Sequence, residues 1–382
     1  MLASMSAEAS MNTVINKARQ LFEDTYYQQP DGIITAPGRV NLIGDHTDYV
    51  GGWVMPAALT RVTAVAYKRA PDSTLDAVSA NANGRIHFDV STVTPNNPVQ
   101  GWGGYLAGVA WALTEEPAEA DITPAGLTVA IASDVPTASG LSSSASLEVA
   151  MARVWREAQN LALDDVQLAQ LCKRAENLYV GVPSGIMDQF ACSVPAPGQA
   201  IQLDCKKLSY QVIGIPPEWA FVILDSGASR SLASSAYAQR VSECEQLAKM
   251  LFDSDDIQSL RDMTSSQVDS LDGVLQQRAR HLVTENARVI QAAKALDGDD
   301  ITTFGTLMTA SHASLRDDYA VSSSALDSLV ETSLTAPGCH GSRLTGAGFG
   351  GCTVSLVDRA QVTAFNEDIN ANAPTAKLIT VL

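Results

Sequence analysis

The chain has 382 residues, 46% of them apolar and 18% charged, with 26 Gly and 16 Pro, the proportions of a globular protein rather than a disordered or collagen-like one. At roughly 100 to 200 residues per domain, this length suggests two domains. Its 42 acidic against 25 basic residues give a net charge of −17, a field that repels polyanions and argues against a nucleic-acid partner or an anionic membrane surface, so any phosphate-bearing ligand has to be held by local devices.

No apolar run approaches the ~20 residues of a spanning helix. The opening MLASMSAEASM has neither the basic start nor the apolar stretch of a signal peptide, so a cytoplasmic location is expected. The six cysteines, at 172, 192, 205, 244, 339 and 352, are scattered without a C-x-x-C pair, which points to reduced, structural thiols.

In chain order, a helix is expected over about 12–28 and a short strand at 32–35. The loop PGRVNLIGDHTDYVGG comes next, then a Val, Thr and Ala-rich strand over 54–67. Leu106, Val109, Ala110 and Leu113 fall at helical spacing, while Leu127, Val129 and Ile131 alternate as a half-buried strand. A second loop, DVPTASGLSSSAS, opens a helix with an apolar stripe of Leu147, Ala150, Met151 and Val154, and another helix runs to about 179. Strands are expected at 200–203 and 220–224. A mostly helical stretch follows over 232–336, then strands near 341–345 and 353–357, a helix, and a last strand at 378–381. Strands that bracket helices in both halves argue for two α+β layers. The boundary is read near 205–217, where KKLSYQVIGIPPE, 206–218, is polar and contains two prolines, giving domains 1–210 and 211–382.

Three segments carry chemistry. DVPTASGLSSSAS lies between a strand and a helix, so backbone N–H groups and the positive helix end converge there. Gly140 permits close approach, and Ser142, Ser143 and Ser144 bring hydroxyls; this is either an anion site or a Ser-capped helix in a flexible loop. It is not a P-loop, because no Gly-Lys pair occurs. GAGFGG, 346–351, formally fits G-x-G-x-x-G, but a strand follows it, which leaves a glycine hairpin beside a ligand or another backbone, or simply a tight turn. In the first loop, Arg39, Asp45, His46 and Asp48 offer the directional donors and acceptors that read a polyol, or form a solvated loop. Asp188, in GVPSGIMDQF, is a base, a ligand-binding acid or a helix cap.

Together these segments resemble the GHMP small-molecule kinases, and within them the galactokinase family, over nearly the whole chain. APGRVNLIGDHTDYVGGWVMPAAL is similar to the family's sugar signature, VPTASGLSSSASLEVA to its ATP-binding motif and GSRLTGAGFGGCTVSLV to its third motif. The resemblance implies an α+β, two-domain GHMP kinase fold, with an N-terminal ribosomal-S5-like domain, a C-terminal ferredoxin-like domain and the active site between them. The implied substrates are galactose and ATP, with Mg2+ as the metal. By position, Asp188 is implied as the catalytic carboxylate and Arg39 as its partner. Arg39, Asp45, His46, Asp48, Gly185, Asp188 and Tyr237 would contact the sugar; Trp102, Gly140, Leu141, Ser142, Ser143, Ser144 and Ala145 would surround ATP; Ser144 and Glu176 would hold the metal. This chain has WGGY where the family has W-A-N-Y, Ser184 for a common Cys, and Asp45 for a common Glu. Galacturonate, arabinose or N-acetylgalactosamine as the sugar, or a galactose sensor without turnover, are the alternatives; a monomer is compatible with the sequence.

Overall fold

The computed structural model describes residues 2–115, 122–137, 139–196, 198–228, 233–252 and 259–382. Two compact units divide the chain: Met1–Arg39, Leu59–Thr137 and Ser142–Val194 form the first, and Val40–Ala58, Ala138–Leu141 and Pro195–Leu382 the second.

In the first unit, strands Ile86–Asp89, Thr74–Ser79 and Leu127–Ser133 and the C-terminal half of Trp53–Arg69 lie side by side in that order. Thr74–Ser79 and Leu127–Ser133 are parallel, while Trp53–Arg69 is antiparallel to the latter, with Val65 opposite Ile131. Strand periodicity then sorts side chains by size. Val65, Val129 and Ile131 face a core with Leu106, Val109, Val149 and Trp155, from helices Gly103–Thr114 and Ser143–Gln159. Ala64, Ala66, Ala130 and Ala132 face the other way, and their small volume admits Val14, Ala18 and Phe22 of helix Leu2–Tyr26.

The second unit carries a four-stranded antiparallel sheet of Lys377–Val381, Trp219–Asp225, Cys352–Asp358 and Cys339–Leu344, in that spatial order. Numbered along the chain the order is 4-1-3-2. Helices fill the connection from the first strand to the second, and helix Val362–Asn372 joins the third to the fourth. This βαββαβ path is the ferredoxin-like arrangement. Trp219, Phe221 and Phe304 pack edge to face beneath the sheet, with 5.6 Å between the Trp219 and Phe304 rings. A separate strand pair, Gln199–Asp204 and Ser209–Gly214, joins the N-terminal half of Trp53–Arg69.

Several local expectations change. The first strand does not stop at 35 but runs through PGRVNLI to Ile43, because Val40, Leu42 and Ile43 are all buried. The polar stretch 205–217 contains the strand Ser209–Gly214, whose S-Y-Q-V-I-G pattern pairs residue by residue with Gln199–Asp204. On helix Ser143–Gln159 it is Glu148, not Leu147, that is fully buried. Strands Thr74–Ser79 and Ile86–Asp89 lie in a segment too polar to have been read.

Candidate active site

Arg39 sits near the middle of strand Gly32–Ile43, and Asp188 is in the first turn of helix Met187–Ser193. The Arg39 side chain is only 5% exposed, and its Nε donates to Asp188 Oδ1 at 2.8 Å while Nη2 donates to the same oxygen. The other carboxylate oxygen, Oδ2, accepts from the Ser142 hydroxyl of the glycine-serine loop. Ser142 has left-handed backbone, φ 59°, immediately before helix Ser143–Gln159, and its carbonyl accepts from Ser146 N–H. The first N–H groups of a helix have no partner within it, and here they belong to Ser143, Ser144 and Ala145, at the positive end of the helix.

In the first turn of that helix, Ser144 Oγ donates to Glu176 Oε1 at 3.3 Å. Glu176 lies in a π-helical turn, Ala175–Val180, that continues helix Asp165–Arg174; such one-turn insertions recur at functional sites. Its Oε2 accepts from the Ser184 hydroxyl and from Gln189 Nε2 at 2.8 Å. The same Gln189 amide donates to the fully buried Glu148 at 3.0 Å. Burial raises the pKa of both carboxyls, with the neighbouring Glu176 adding to the effect at Glu148 and Asp188 adding to it at Glu176, whereas Ser184 pulls Glu176 back down. Ser144 and Glu176 thus bring together two hard oxygen donors of the kind a magnesium ion takes.

In the second unit the loop after Ile43 is tied down from several sides. Asp45 is buried; its Oδ2 accepts from Arg343 Nη2 and its Oδ1 from Gly346 N–H at 3.1 Å. Its carbonyl accepts from His281 Nε2 at 3.1 Å. The His46 ring donates Nε2–H to the Ala347 carbonyl, at 3.1 Å, so its Nδ1 accepts from Tyr49. Tyr49 in turn accepts from Tyr319, and the Cys244 thiol completes the relay at 3.2 Å. Burial, with His281 nearby, pushes the His46 pKa down to about 3, so the ring is neutral and its tautomer is set by these partners. Tyr237, on helix Ala233–Phe252, places its ring 5.7 Å from His46. Asp48 opens the half-buried turn Asp48–Val50.

GAGFGG is a hairpin tip between two strands rather than a nucleotide turn. A Cβ at Gly346, φ 81°, would stand 3.1 Å from the Gly140 carbonyl, and one at Gly348 would overlap the Val321 carbonyl. The third motif thus lies against the backbone of the second. Trp102 precedes helix Gly103–Thr114 and donates its indole N–H to Asn83 O at 3.3 Å. Leu141, Ala145 and Gly185 are buried.

Arg39, Ser142 and Asp188 therefore meet in one cluster, Ser144 and Glu176 in an adjoining one, and Asp45, His46 and Tyr237 lie around one loop. Sequence reasoning missed Arg343, Gln189, Glu148, Tyr49, Tyr319 and His281. A signal existed for one of them: Glu148 falls on the apolar face of its helix.

The galactokinase galactose-binding signature matches residues 20–69, the GHMP kinases N terminal domain 104–195 and the GHMP kinases C terminal domain 292–374. With the glycine-serine loop at a helix start and the ferredoxin-like second unit, these matches define a small-molecule kinase of GHMP fold. The mevalonate kinase of a solved structure, 20% identical with a TM-score of 0.65 over 92% of this chain and 98% of its own, shares that fold. Similarity is much higher to the galactokinase of Roseiflexus sp. (strain RS-1), 44% identical over 92% of this chain and 90% of that protein, and to that of Lactiplantibacillus plantarum, 40% identical over 94% and 93%. The Lactococcus lactis galactokinase, solved in complex with galactose, superposes with a TM-score of 0.87 at 36% identity over 96% of both chains. The chain belongs to the galactokinase family.

Proposed function

We propose that the protein transfers the γ-phosphoryl group of ATP to the C1 hydroxyl of α-D-galactose, giving galactose 1-phosphate and ADP, in the cytoplasm. The observation that carries this reading is the Asp188 carboxylate held between the Arg39 guanidinium and the Ser142 hydroxyl. Phosphoryl transfer needs alignment and charge stabilisation more than covalent help from the protein. Asp188 accepts the proton of the C1 hydroxyl as the O1–phosphorus bond forms. Arg39 fixes the carboxylate and offers positive charge beside it.

In the same reading, Gly140 to Ala145 surround the phosphates with Trp102 near the adenine, and Asp45, His46, Asp48, Gly185 and Tyr237 contact the sugar. His46 contributes its ring beside Tyr237, since both ring nitrogens already have protein partners. Ser144 and Glu176 would hold Mg2+, which neutralises phosphate charge when bound. The family's two domains are assigned to 1–210 and 211–382, supported by an N-terminal model match that ends at 195 and a C-terminal one that begins at 292.

Coupled ADP release tests the reading with galactose, glucose, galacturonate, arabinose and N-acetylgalactosamine as acceptors. Galactose should give the highest kcat/KM. ADP release that does not depend on galactose, or a clear preference for another sugar, overturns it; tight galactose binding without turnover identifies a sensor.

A further inference from the structure

The Ser142 hydroxyl has one proton and therefore one acceptor at a time. In the structure that acceptor is Asp188 Oδ2. Asp188 Oδ1 is already taken by two donors from Arg39, so both oxygens of the carboxylate are engaged by the protein itself. Each carboxylate oxygen offers two acceptor sites, so Arg39 fills Oδ1 while Oδ2 keeps one, and a sugar hydroxyl that donates to Asp188 has to share Oδ2 with Ser142. Yet Ser142 belongs to the loop that, on the galactokinase reading, surrounds the phosphates, and a phosphate oxygen is an acceptor at least as strong.

We propose that Ser142 is a positioning residue with two alternative partners: it donates to Asp188 Oδ2 when no nucleotide is bound, and turns to a phosphate oxygen when ATP binds, which leaves Oδ2, a stronger acceptor without a competing donor, to the C1 hydroxyl of the sugar alone. This rests on the galactokinase reading and adds to it a coupling between the two substrates. The backbone makes such an exchange possible without loop movement. The Ser142 carbonyl is fixed by the Ser146 N–H at 2.9 Å, and its left-handed conformation is one that a non-glycine residue holds only under constraint, so the side chain can rotate about χ1 while the main chain stays put. The Asp188 side chain is 28% exposed, against 5% for Arg39, so the oxygen that Ser142 covers is on the more accessible member of the pair.

Because a hydrogen bond to a charged group is at stake, nucleotide should tighten galactose binding by roughly five- to fiftyfold, and galactose should tighten nucleotide binding by the same factor. The test measures the galactose Kd by calorimetry on the full chain, with and without a non-hydrolysable ATP analogue and magnesium, in wild type, Ser142→Ala and Ser142→Gly. Glycine is at ease with a positive φ, so the second variant separates loss of the hydroxyl from backbone strain. In both variants galactose alone should bind about as tightly as it binds wild type with the analogue, and the ratio between the two conditions should fall to within twofold of one. A wild type without coupling, or variants that keep the wild-type ratio, would overturn the proposal. Failure of galactose-dependent ADP release in wild type would instead overturn the functional reading, so the two failures are distinguishable.

Discussion

Asp188→Asn separates chemistry from binding with little disturbance of shape. The amide oxygen can still accept both donors from Arg39, and the Ser142 hydroxyl can reverse and accept from the new amide N–H, so each hydrogen bond of the cluster has a counterpart. What is lost is the negative charge beside a guanidinium that is almost fully buried. Weakening a charged hydrogen bond of this kind costs on the order of 1 to 3 kcal/mol, a shift of a few degrees in Tm for a chain of this size. Catalysis should suffer more, since an amide cannot take the hydroxyl proton. Loss of a general base or orienting carboxylate is worth at least ~100-fold, about 2.7 kcal/mol of barrier. Coupled ADP release gives kcat, calorimetry gives the galactose Kd, and thermal unfolding checks the fold. The expected pattern is kcat down by at least ~100-fold, Kd changed by less than about tenfold, and a cooperative transition within a few degrees of wild type. A pure, folded variant that keeps its turnover would remove Asp188 from the chemistry.

Ser144→Ala and Glu176→Gln should each raise the magnesium concentration for half-maximal rate, since a hard cation loses an oxygen ligand; unchanged titrations in both would place the ion elsewhere. Asp48→Ala should lower kcat/KM for galactose and narrow its ratio over glucose by roughly ten- to hundredfold, because galactose and glucose differ only at the C4 hydroxyl, and an acceptor that meets only one orientation is left unsatisfied by the other. Asp45→Glu should leave that ratio nearly intact, and a ratio unmoved by Asp48→Ala would mean that another residue reads C4. Acid should act differently on the two units. Burial holds His46 near 3 and His281 and His312 near 4, against about 6.5 unfolded. The unfolded chain therefore takes up more protons than the second unit as pH falls from 6.5 towards 4, and each histidine removes up to about 1.4 kcal/mol of stability per pH unit there. The raised pKa values of Glu148 and Glu176 act in the opposite sense in the first unit. Hydrogen exchange between pH 7 and 5, corrected for intrinsic rates, should show helix Gly273–Asp297 losing protection relative to helix Ser143–Gln159; equal changes in both would contradict the assignment.

Much of this site was legible because its motifs are local. The glycine-serine loop and the loop around Asp45 to Asp48 declare themselves within a dozen residues, through glycines that allow positive φ and polar side chains in apolar surroundings. Arg39 and Asp188 are 149 positions apart, and no periodicity in either segment pairs them; the family resemblance suggested the pair, and the structure supplies the contact. The ties around Asp45 were hidden for another reason. Arg343, His281 and Gly346 reach it from a strand, a helix and a hairpin tip, none of which carries a local mark of its partner. The strand Gly32–Ile43 was cut short because Pro37 and Gly38 read as punctuation, whereas burial of Val40, Leu42 and Ile43 outweighs those two weak strand formers.

The π turn at Ala175–Val180 makes the spacing of two acids a matter of count. An α-helix advances about 100° and 1.5 Å per residue, and a π turn holds one residue more than an α turn would in its place. Glu176 stands at the start of that turn and Asp188 twelve residues later, with Val182 N–H returning to the Glu176 carbonyl at 3.0 Å. Removing one residue between 177 and 180 would let the segment relax into ordinary helix, and Ser184, Asp188 and Gln189 would be drawn out of phase with Glu176. Leu178, 62% exposed, should therefore accept substitution, whereas the stretch should reject single-residue deletions. Length is what natural or laboratory variation would have to preserve there, together with the buried Tyr179 and the hydrogen-bonded Asn177.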